Sequence, residues 1–245
     1  MRFDVAVHTE FQKSKERYGG IRIARALGEQ GIHCTRKRVG RSMQRQALHP
    51  RQSRLFVATT DSRHDFPVAA NLLNRDFHAE RPNQKWVSDI TYLPCLGGWL
   101  YLAVFIDLFS RRVVGWCVSH SLKHDTVLSA FYRAVRNRGS ILGLMVHGDR
   151  GVQYCCGGFR DAMKLFGVVQ SMSRKGNCRD NAVAESFFST VKREMLGEYV
   201  FVDETDAEQK LFEYIEAEYN RNRMHGAIGY RSPVDFENIR LRKCV

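Results

Sequence analysis

The chain has 245 residues, of which 44% are hydrophobic and 26% charged, a balance that supports a packed core and excludes a disordered, collagen-like or coiled-coil chain. The longest apolar run, residues 99–106, falls far short of the roughly 18 residues of a membrane span. The first residues, MRFDVAVHTEF, lack the features of a secretory signal, so a folded cytoplasmic protein with no membrane partner is expected. Its seven cysteines, at 34, 95, 117, 155, 156, 178 and 244, include no C-x-x-C pair and read as free thiols rather than a disulfide framework or zinc ribbon. A soft-metal site from His147, Cys155, Cys156 and Cys178 is the weaker reading.

Net charge is +12 and unevenly spread. Residues 13–54 hold 12 basic and 2 acidic side chains, which suits a phosphate-contacting module. Within them, Ile21, Ile23, Ala24 and Leu27 approximate helical spacing, and Gly28 and Gly31 stop the run. Thr35 is a candidate N-cap for a second helix, with Val39, Met43 and Ala47 on one face and Arg36, Lys37, Arg38, Arg41 and Arg45 on the other. A helix, a glycine-containing turn and a basic helix form an arrangement that can enter a major groove; a two-helix cap with a solvated basic face is the alternative.

Residues 50–82 are polar and carry Pro50, Pro67 and Pro82, so a linker with one helical turn at 69–73 is expected. Then WVSDITYLP, WLYLAVFID and RRVVGWCVS read as three strands in an antiparallel meander. Helical spacing covers 122–138, LGLMVHGD is a fourth strand, 159–166 a short helix, VVQSMS a fifth strand, and 180–196 and 205–219 two more helices. This order predicts an α/β class, a sheet with a meander edge and helices on its faces.

Acidic residues at these elements carry the chemistry. Asp89 sits in the middle of an apolar strand, where an uncompensated charge is costly and invites a cation. Asp149 ends the fourth strand, where open α/β sheets bind ligands. Glu185 lies on a helix whose apolar stripe is Ala184, Phe187, Phe188, Val191 and Met195, with Glu185, Ser189 and Lys192 on the adjacent face. Three converging carboxylates repel one another unless divalent cations neutralise them, and all-oxygen ligation favours Mg²⁺ or Mn²⁺. Taken singly, each fits a turn or salt-bridge residue, and Asp149 has Arg150 beside it.

Asp89, Asp149, the 35 residues between Asp149 and Glu185, and Lys192 seven residues further resemble the DDE transposases and retroviral integrases. WVSDITYLP, FIDLFSRRVVGW, HGDRGVQY, SMSRKGNCRDNAVAESFFSTVKRE and YNRNRMHGAIGYRSP are more closely similar to the transposase of bacterial insertion sequence family three, its second open reading frame product. The segment from Tyr18 to Met43 resembles the helix-turn-helix-like region that precedes the catalytic core there. The resemblance implies an RNase H-like core, a five-stranded mixed sheet flanked by helices. Its units are a basic DNA-binding segment at 1–55, a linker at 56–82 and an integrase-type core at 83–245.

It further implies DNA 3′-end cleavage and strand transfer by in-line displacement with two Mg²⁺ or Mn²⁺ ions held by Asp89, Asp149 and Glu185. The expected partners are the element's terminal repeats and target DNA, a second copy of the chain on that DNA, and the upstream open reading frame product, to which family members are often fused by frameshifting. Lys192 is expected to touch a phosphate or to be solvated. Arg174, Lys175 and Asn177 clamp DNA or form a flexible charged loop; Asn220, Arg221, Arg223 and His225 contact DNA or brace the core. His147 is expected to orient the Asp149 loop, and Asp107 to form a turn ion pair with Arg111 or Arg112. Gly148, where the family usually has serine, Arg179, where an aromatic is common, and Cys155-Cys156 depart from the pattern. Two other classes fit the basic charge: a catalytically inactive DNA-binding regulator, and a metal-dependent nuclease without joining activity.

Overall fold

The structure is a computed structural model that describes residues 2–50, 66–197 and 199–242. Strand β1 (Lys85–Cys95) alternates its side chains between two buried faces, as expected of a central strand. It pairs antiparallel with β2 (Gly98–Asp107), which pairs antiparallel with β3 (Val113–Ser119). Beyond the helix α4 (His124–Arg138), β4 (Met145–Gly148) and β5 (Val169–Met172) add parallel on the other edge of β1, giving the order β3-β2-β1-β4-β5. This is the expected five-stranded mixed sheet with its meander.

Period-two alternation splits the core. Val87, Leu93 and Val104 point to one face, and Trp86, Ile90 and Phe105 to the other. The first face is covered by α7 (Ala182–Val191) and α8 (Glu204–Phe212), the second by α4, the four-residue α5 (Val152–Cys155) and α6 (Gly157–Leu165). Gly115 lets α4 touch the sheet, because a Cβ there would collide with the Ala130 carbonyl and Ala134. Gly115→Ala is expected to cost about 1–3 kcal/mol by overpacking, read from the midpoint of chemical unfolding.

Several elements differ from expectation. Residues 2–13 form a helix, α1 (Arg2–Lys13), whose Val7 and Phe11 join α2 (Gly20–Glu29) and α3 (Arg36–Arg45) in a three-helix bundle with its own core. Thr35 caps α3 by accepting from the Arg38 N–H. Ala47 does not continue the apolar face: α3 ends at Arg45, and Ala47, at φ +52°, turns the chain so that Leu48 packs instead. The expected linker falls partly on residues 51–65, which lie outside the described residues, as does the boundary at 55. The helical turn expected at 69–73 is absent. That segment instead runs beside β5, with the Leu72 and Leu73 N–H groups donating to Ser171 Oγ at 2.9 and 3.1 Å, and Leu73 and Ala79 enter the core.

Strand β4 is shorter than expected, because Gly143 at φ +75° turns the chain just before it and leaves Leu142 exposed. The predicted helix at 180–196 is three successive pieces: a 3₁₀ turn (Cys178–Asn181), α7, and a π-turn (Lys192–Leu196). Likewise α8 runs on into a π-turn (Glu213–Tyr219). A last helix, α9 (Pro233–Arg242), was not expected; Ser232 Oγ accepts from the Asp235 N–H at its start. No helix among the described residues is long and apolar enough to cross a membrane.

Candidate active site

The sheet register fixes the first two carboxylates. Val87 on β1 lies opposite His147 on β4 in a parallel pair, so two residues onward Asp89 and Asp149 are brought alongside each other. Asp149 leaves the end of β4, and its Oδ1 accepts from the Gly151 N–H at 2.8 Å. A Cβ on Gly151 would sit 2.9 Å from that oxygen, so a larger residue there would shift the carboxylate. Asp89 is half-buried, and its Oδ1 accepts from the Ile90 N–H at 2.8 Å.

Glu185 arrives in the first turn of α7. The start of that helix is pinned to β1 by buried Asn181, whose Nδ2 donates to the Ser88 carbonyl at 3.0 Å, one residue before Asp89. Asn181 Oδ1 is buried without a hydrogen-bond partner among the described residues. Burial, then the charge of Asp149, then that of Glu185 push the Asp89 carboxyl well above the usual aspartate range; the Ile90 N–H and the Lys192 ammonium pull it down. Burial also raises Glu185 and lowers Lys192, whose ammonium faces Asp89. Three carboxylates from remote positions and one lysine thus share an electrostatic neighbourhood.

No three His, Cys, Asp or Glu side chains among the described residues close tightly enough to cage an ion unaided. A hard cation such as Mg²⁺ usually takes one or two carboxylates and completes its octahedron with waters and substrate phosphate oxygens. The donor set, all oxygen and short of positive charge, fits such an ion.

Beneath the carboxylates lies Tyr154, which sequence reasoning missed. Its buried hydroxyl shares a 2.8 Å hydrogen bond with Ser88 Oγ, and its ring lies 3.1 Å from where a Cβ on Gly148 would be. The ring explains the glycine at 148, since a serine there would crowd it. His147 is buried, with Nδ1 2.8 Å from Ser171 Oγ and Nε2 3.1 Å from Ser173 Oγ. Burial lowers its pKa to about 4, so the neutral ring ties β4 to β5 beside Asp149. Both nitrogens face serines, and the side chain of Cys178, a member of the soft-metal reading, lies outside the described residues. Burial pushes the Cys155 thiol up to about 11.

Asp107 is structural, as expected, but with a different partner. Its Oδ2 pairs with Arg138 at 2.9 Å and not with Arg111 or Arg112; Arg112 instead pairs with Glu237 at 3.0 Å. The loop expected to clamp DNA is held from within. Fully buried Asp180 accepts from Arg174 Nη2 at 2.7 Å, Arg174 Nε at 2.9 Å and Arg75 Nε at 2.8 Å, and these bonds keep its carboxyl far below the aspartate range. The Arg174 guanidinium is therefore engaged, whereas Lys175 is exposed and Asn177 half-buried. Asp180 and Asn181 act over about a hundred residues of sequence, and the only local signal was the RDN string before the helix. On the bundle, Arg36, Lys37, Arg38 and Arg41 are all exposed on α3, with Arg38 stacked 4.2 Å over the Phe3 ring.

Of the YNRNRMHG residues, Asn220, Arg223 and His225 brace the core. Asn220 bonds both the N–H and the carbonyl of Val113 at 3.0 Å. The His225 ring packs edge-on to Tyr219 at 4.6 Å, and burial together with Arg223, Arg22 and Arg111 pushes its pKa down to about 2 from 6.5. The folded state thus holds this ring neutral, while an unfolded ring takes up a proton below pH 6.5. Stability contributed by the neutral ring is complete above pH 6.5 and is lost as pH falls below it. By pH ~4 the loss is on the order of 3 kcal/mol. Urea unfolding of the parent and of His225→Asn across that range checks this: the parent curve is expected to fall more steeply.

The comparisons with known proteins agree with this geometry. Residues 3–55 match an HTH-like domain, and residues 79–178 and 166–233 match two models of the integrase core domain. A transposase for insertion sequence element IS904 of Lactococcus lactis is 40% identical over 93% of this chain and 90% of its own length. Transposase InsF for insertion sequence IS3A of Escherichia coli is 42% identical over 97% of this chain and 83% of its own. The chain belongs to the IS3-family transposases.

The transposase shares its fold with a chain of the simian T-cell lymphotropic virus intasome, solved in complex with PP2A regulatory subunit B56 gamma. The TM-score is 0.54 and the identity 16%, over 87% of the transposase and 70% of that chain. It also resembles the HTLV-2 integrase catalytic core domain, solved in complex with magnesium. There the TM-score is 0.50 and the identity 17%, over 65% of the transposase and 99% of that chain. By its family the transposase is a polynucleotidyl transferase of the DDE integrase-core type, and it carries an HTH-like domain that implies DNA binding.

Proposed function

We propose that this transposase cuts the 3′ ends of an insertion sequence and joins them to target DNA, with Asp89, Asp149 and Glu185 holding two Mg²⁺ or Mn²⁺ ions. The observation that carries the reading is the parallel register of β1 and β4 that sets Asp89 beside Asp149, with Glu185 near enough to add to the burial and the Asp149 charge that push the Asp89 carboxyl up, and with Lys192 offsetting them only in part. Bound divalent ions would supply the missing positive charge, activating the attacking oxygen and stabilising the leaving 3′-oxygen.

The protein's own part is positioning. Asp149 is held by the Gly151 N–H and Glu185 by the Asn181 anchor at the helix start. Lys192 sits on the helix face of Glu185 and touches a phosphate next to the cleaved bond, a point charge that suits a phosphate oxygen. No nucleophilic side chain is required, because the attacking group is water or a DNA 3′-hydroxyl.

The segment at 1–55 recognises the element ends by setting the exposed Arg36, Lys37, Arg38 and Arg41 of its helix α3 against the duplex. Lys175 and Asn177 add contacts next to the core, and Arg174 shapes their loop through Asp180. Residues 83–245, together with the segment at 69–79 that packs into their core, form the catalytic unit. A second copy of the chain on the DNA, and the upstream open reading frame product, complete the assembly in the bacterial cytoplasm at the nucleoid.

Incubation with labelled duplex ends of the element tests the reaction. With Mg²⁺ or Mn²⁺, cleaved 3′ ends and their insertion into a second duplex are expected, and EDTA abolishes both. Nicked products without insertion would make the protein a nuclease, and DNA binding without any product a regulator.

A further inference from the structure

Glu194 lies in the π-turn that continues the helix of Glu185 and Lys192, and it is almost completely buried. A buried carboxylate requires full compensation, and this one receives it from two directions. From the C-terminal half, Arg223 forks onto it with Nε to Oε2 and Nη2 to Oε1, both 2.8 Å, and the Tyr214 hydroxyl donates to Oε2 at 3.1 Å. From the N-terminal bundle, Arg22 Nη1 approaches Oε1 at 3.6 Å, while Arg22 Nε donates to the Met224 carbonyl at 3.1 Å.

Arg17 completes the arrangement. Its Nε donates to the backbone carbonyl of Glu194 at 2.9 Å, its guanidinium lies 5.2 Å over the Tyr214 ring, and its Nη1 is 3.3 Å from Glu218, an ion pair without hydrogen-bond geometry. Carbonyls at the end of a helix lack intrahelical donors, and here the bundle provides one. Tyr18 closes the contact, accepting from the Met224 N–H at 3.1 Å and donating to the Asn222 carbonyl at 3.4 Å.

We propose that Arg17 and Arg22 are positioning residues: through Glu194 the DNA-binding bundle holds the helix that carries Glu185 in its working register. This rests on Glu185 holding metal. The helix is anchored at its start by Asn181 and at its end by the bundle, so its catalytic side chain is fixed between two clamps. Arg17 and Arg22 stand on the loop before α2 and on α2 itself, while the exposed basic face of α3 stays free for DNA. Residues that bind DNA and residues that hold the catalytic helix therefore occupy different faces of one small bundle, which lets DNA capture and active-site geometry be linked through a rigid body. The junction is a π-turn, and such turns recur at functional sites.

Single-turnover cleavage of labelled element ends, measured at saturating DNA while Mg²⁺ is titrated, tests this in the full chain. The Arg17→Ala/Arg22→Ala double variant is expected to lose about tenfold or more in cleavage rate, since displacements of about 1 Å cost up to a hundredfold. Its Mg²⁺ midpoint is expected to rise several-fold, while DNA affinity stays within about twofold, because phosphate contacts by α3 are retained. Arg17→Lys with Arg22→Lys restores part of the rate. Should the double alanine variant fail to fold, Tyr18→Phe, which removes only the hydroxyl bridge, reports the same two quantities with a smaller shift.

An unchanged rate and Mg²⁺ midpoint, or a loss confined to DNA affinity, overturns the proposal. Glu185→Gln, run alongside, separates the two readings. If it cleaves as well as the parent, the metal-holding role of Glu185 fails; if it is inactive while the arginine variants match the parent, the positioning role alone fails.

Discussion

Asp149→Asn and Glu185→Gln each leave a folded, DNA-binding protein whose cleavage of labelled element ends falls by more than about a hundredfold. Even outer-shell partners of metal sites commonly cost 10- to 100-fold when removed, and these side chains are read as the ligands themselves. The substitutions are close to isosteric. In Asp149→Asn the new amide can still accept the Gly151 N–H through its oxygen, so the turn survives and only the charge is lost. Binding of the ends, set by basic contacts on the bundle, is expected to change little. Cleavage within about threefold of the parent in either variant would remove that residue from the site, since an interaction worth less than a kcal/mol is no metal ligand.

Asp89→Asn carries a second, opposite signature. Its carboxyl is pushed up by burial and by its acidic neighbours, so the ionised form at neutral pH destabilises the fold when no cation is bound. Asp89→Asn is therefore expected to melt at a higher temperature than the parent in EDTA while losing cleavage in Mg²⁺. A stabilised but inactive variant is the mark of a charge retained for chemistry rather than folding.

Asp89 and Asp149 were legible because their positions are anomalous one at a time: an acid in the middle of an apolar strand, and an acid at a strand's end. The sheet then adds what a linear reading lacks, the parallel register of β1 and β4 that sets the two side by side. Glu185 was legible from the stripe beside it. What stayed hidden acts across the chain. Asn181 reaches Ser88, Tyr154 reaches the same serine, and Asp180 reaches Arg75. Each is an ordinary residue until its distant partner is known.

Arg174 is a related case: its place in a basic loop suggested a DNA clamp or a flexible charged loop, and a buried aspartate six residues on accepts from its Nε and Nη2. Helix α1 leaves a fainter trace in the sequence, the pair Val7 and Phe11 four residues apart.

The same lesson separates Asp107 from the acids of the proposed site. It too ends a strand, but it is wholly buried and fully engaged: Oδ2 accepts from Arg138 Nη2 and the Asn83 N–H, and Oδ1 from the Phe109 N–H, each at 2.9 Å. Arg138 also donates to both oxygens of Glu237, at 2.8 and 3.0 Å, and to Asn83 Oδ1 at 2.8 Å. One guanidinium thus joins the end of α4 to β2 and to α9. Arg138→Ala would leave two buried carboxylates facing each other, and removal of one partner from a buried pair costs about 3–5 kcal/mol. The variant is expected to lose at least that much in urea unfolding at neutral pH. Glu237 is held low by Arg138, while burial already lifts Asp107, so without the arginine both carboxyls rise. The deficit relative to the parent is then expected to shrink as pH falls below about 5, where protonation neutralises the stranded acids. A deficit independent of pH would mean that Arg138 acts through packing of its stem rather than through charge.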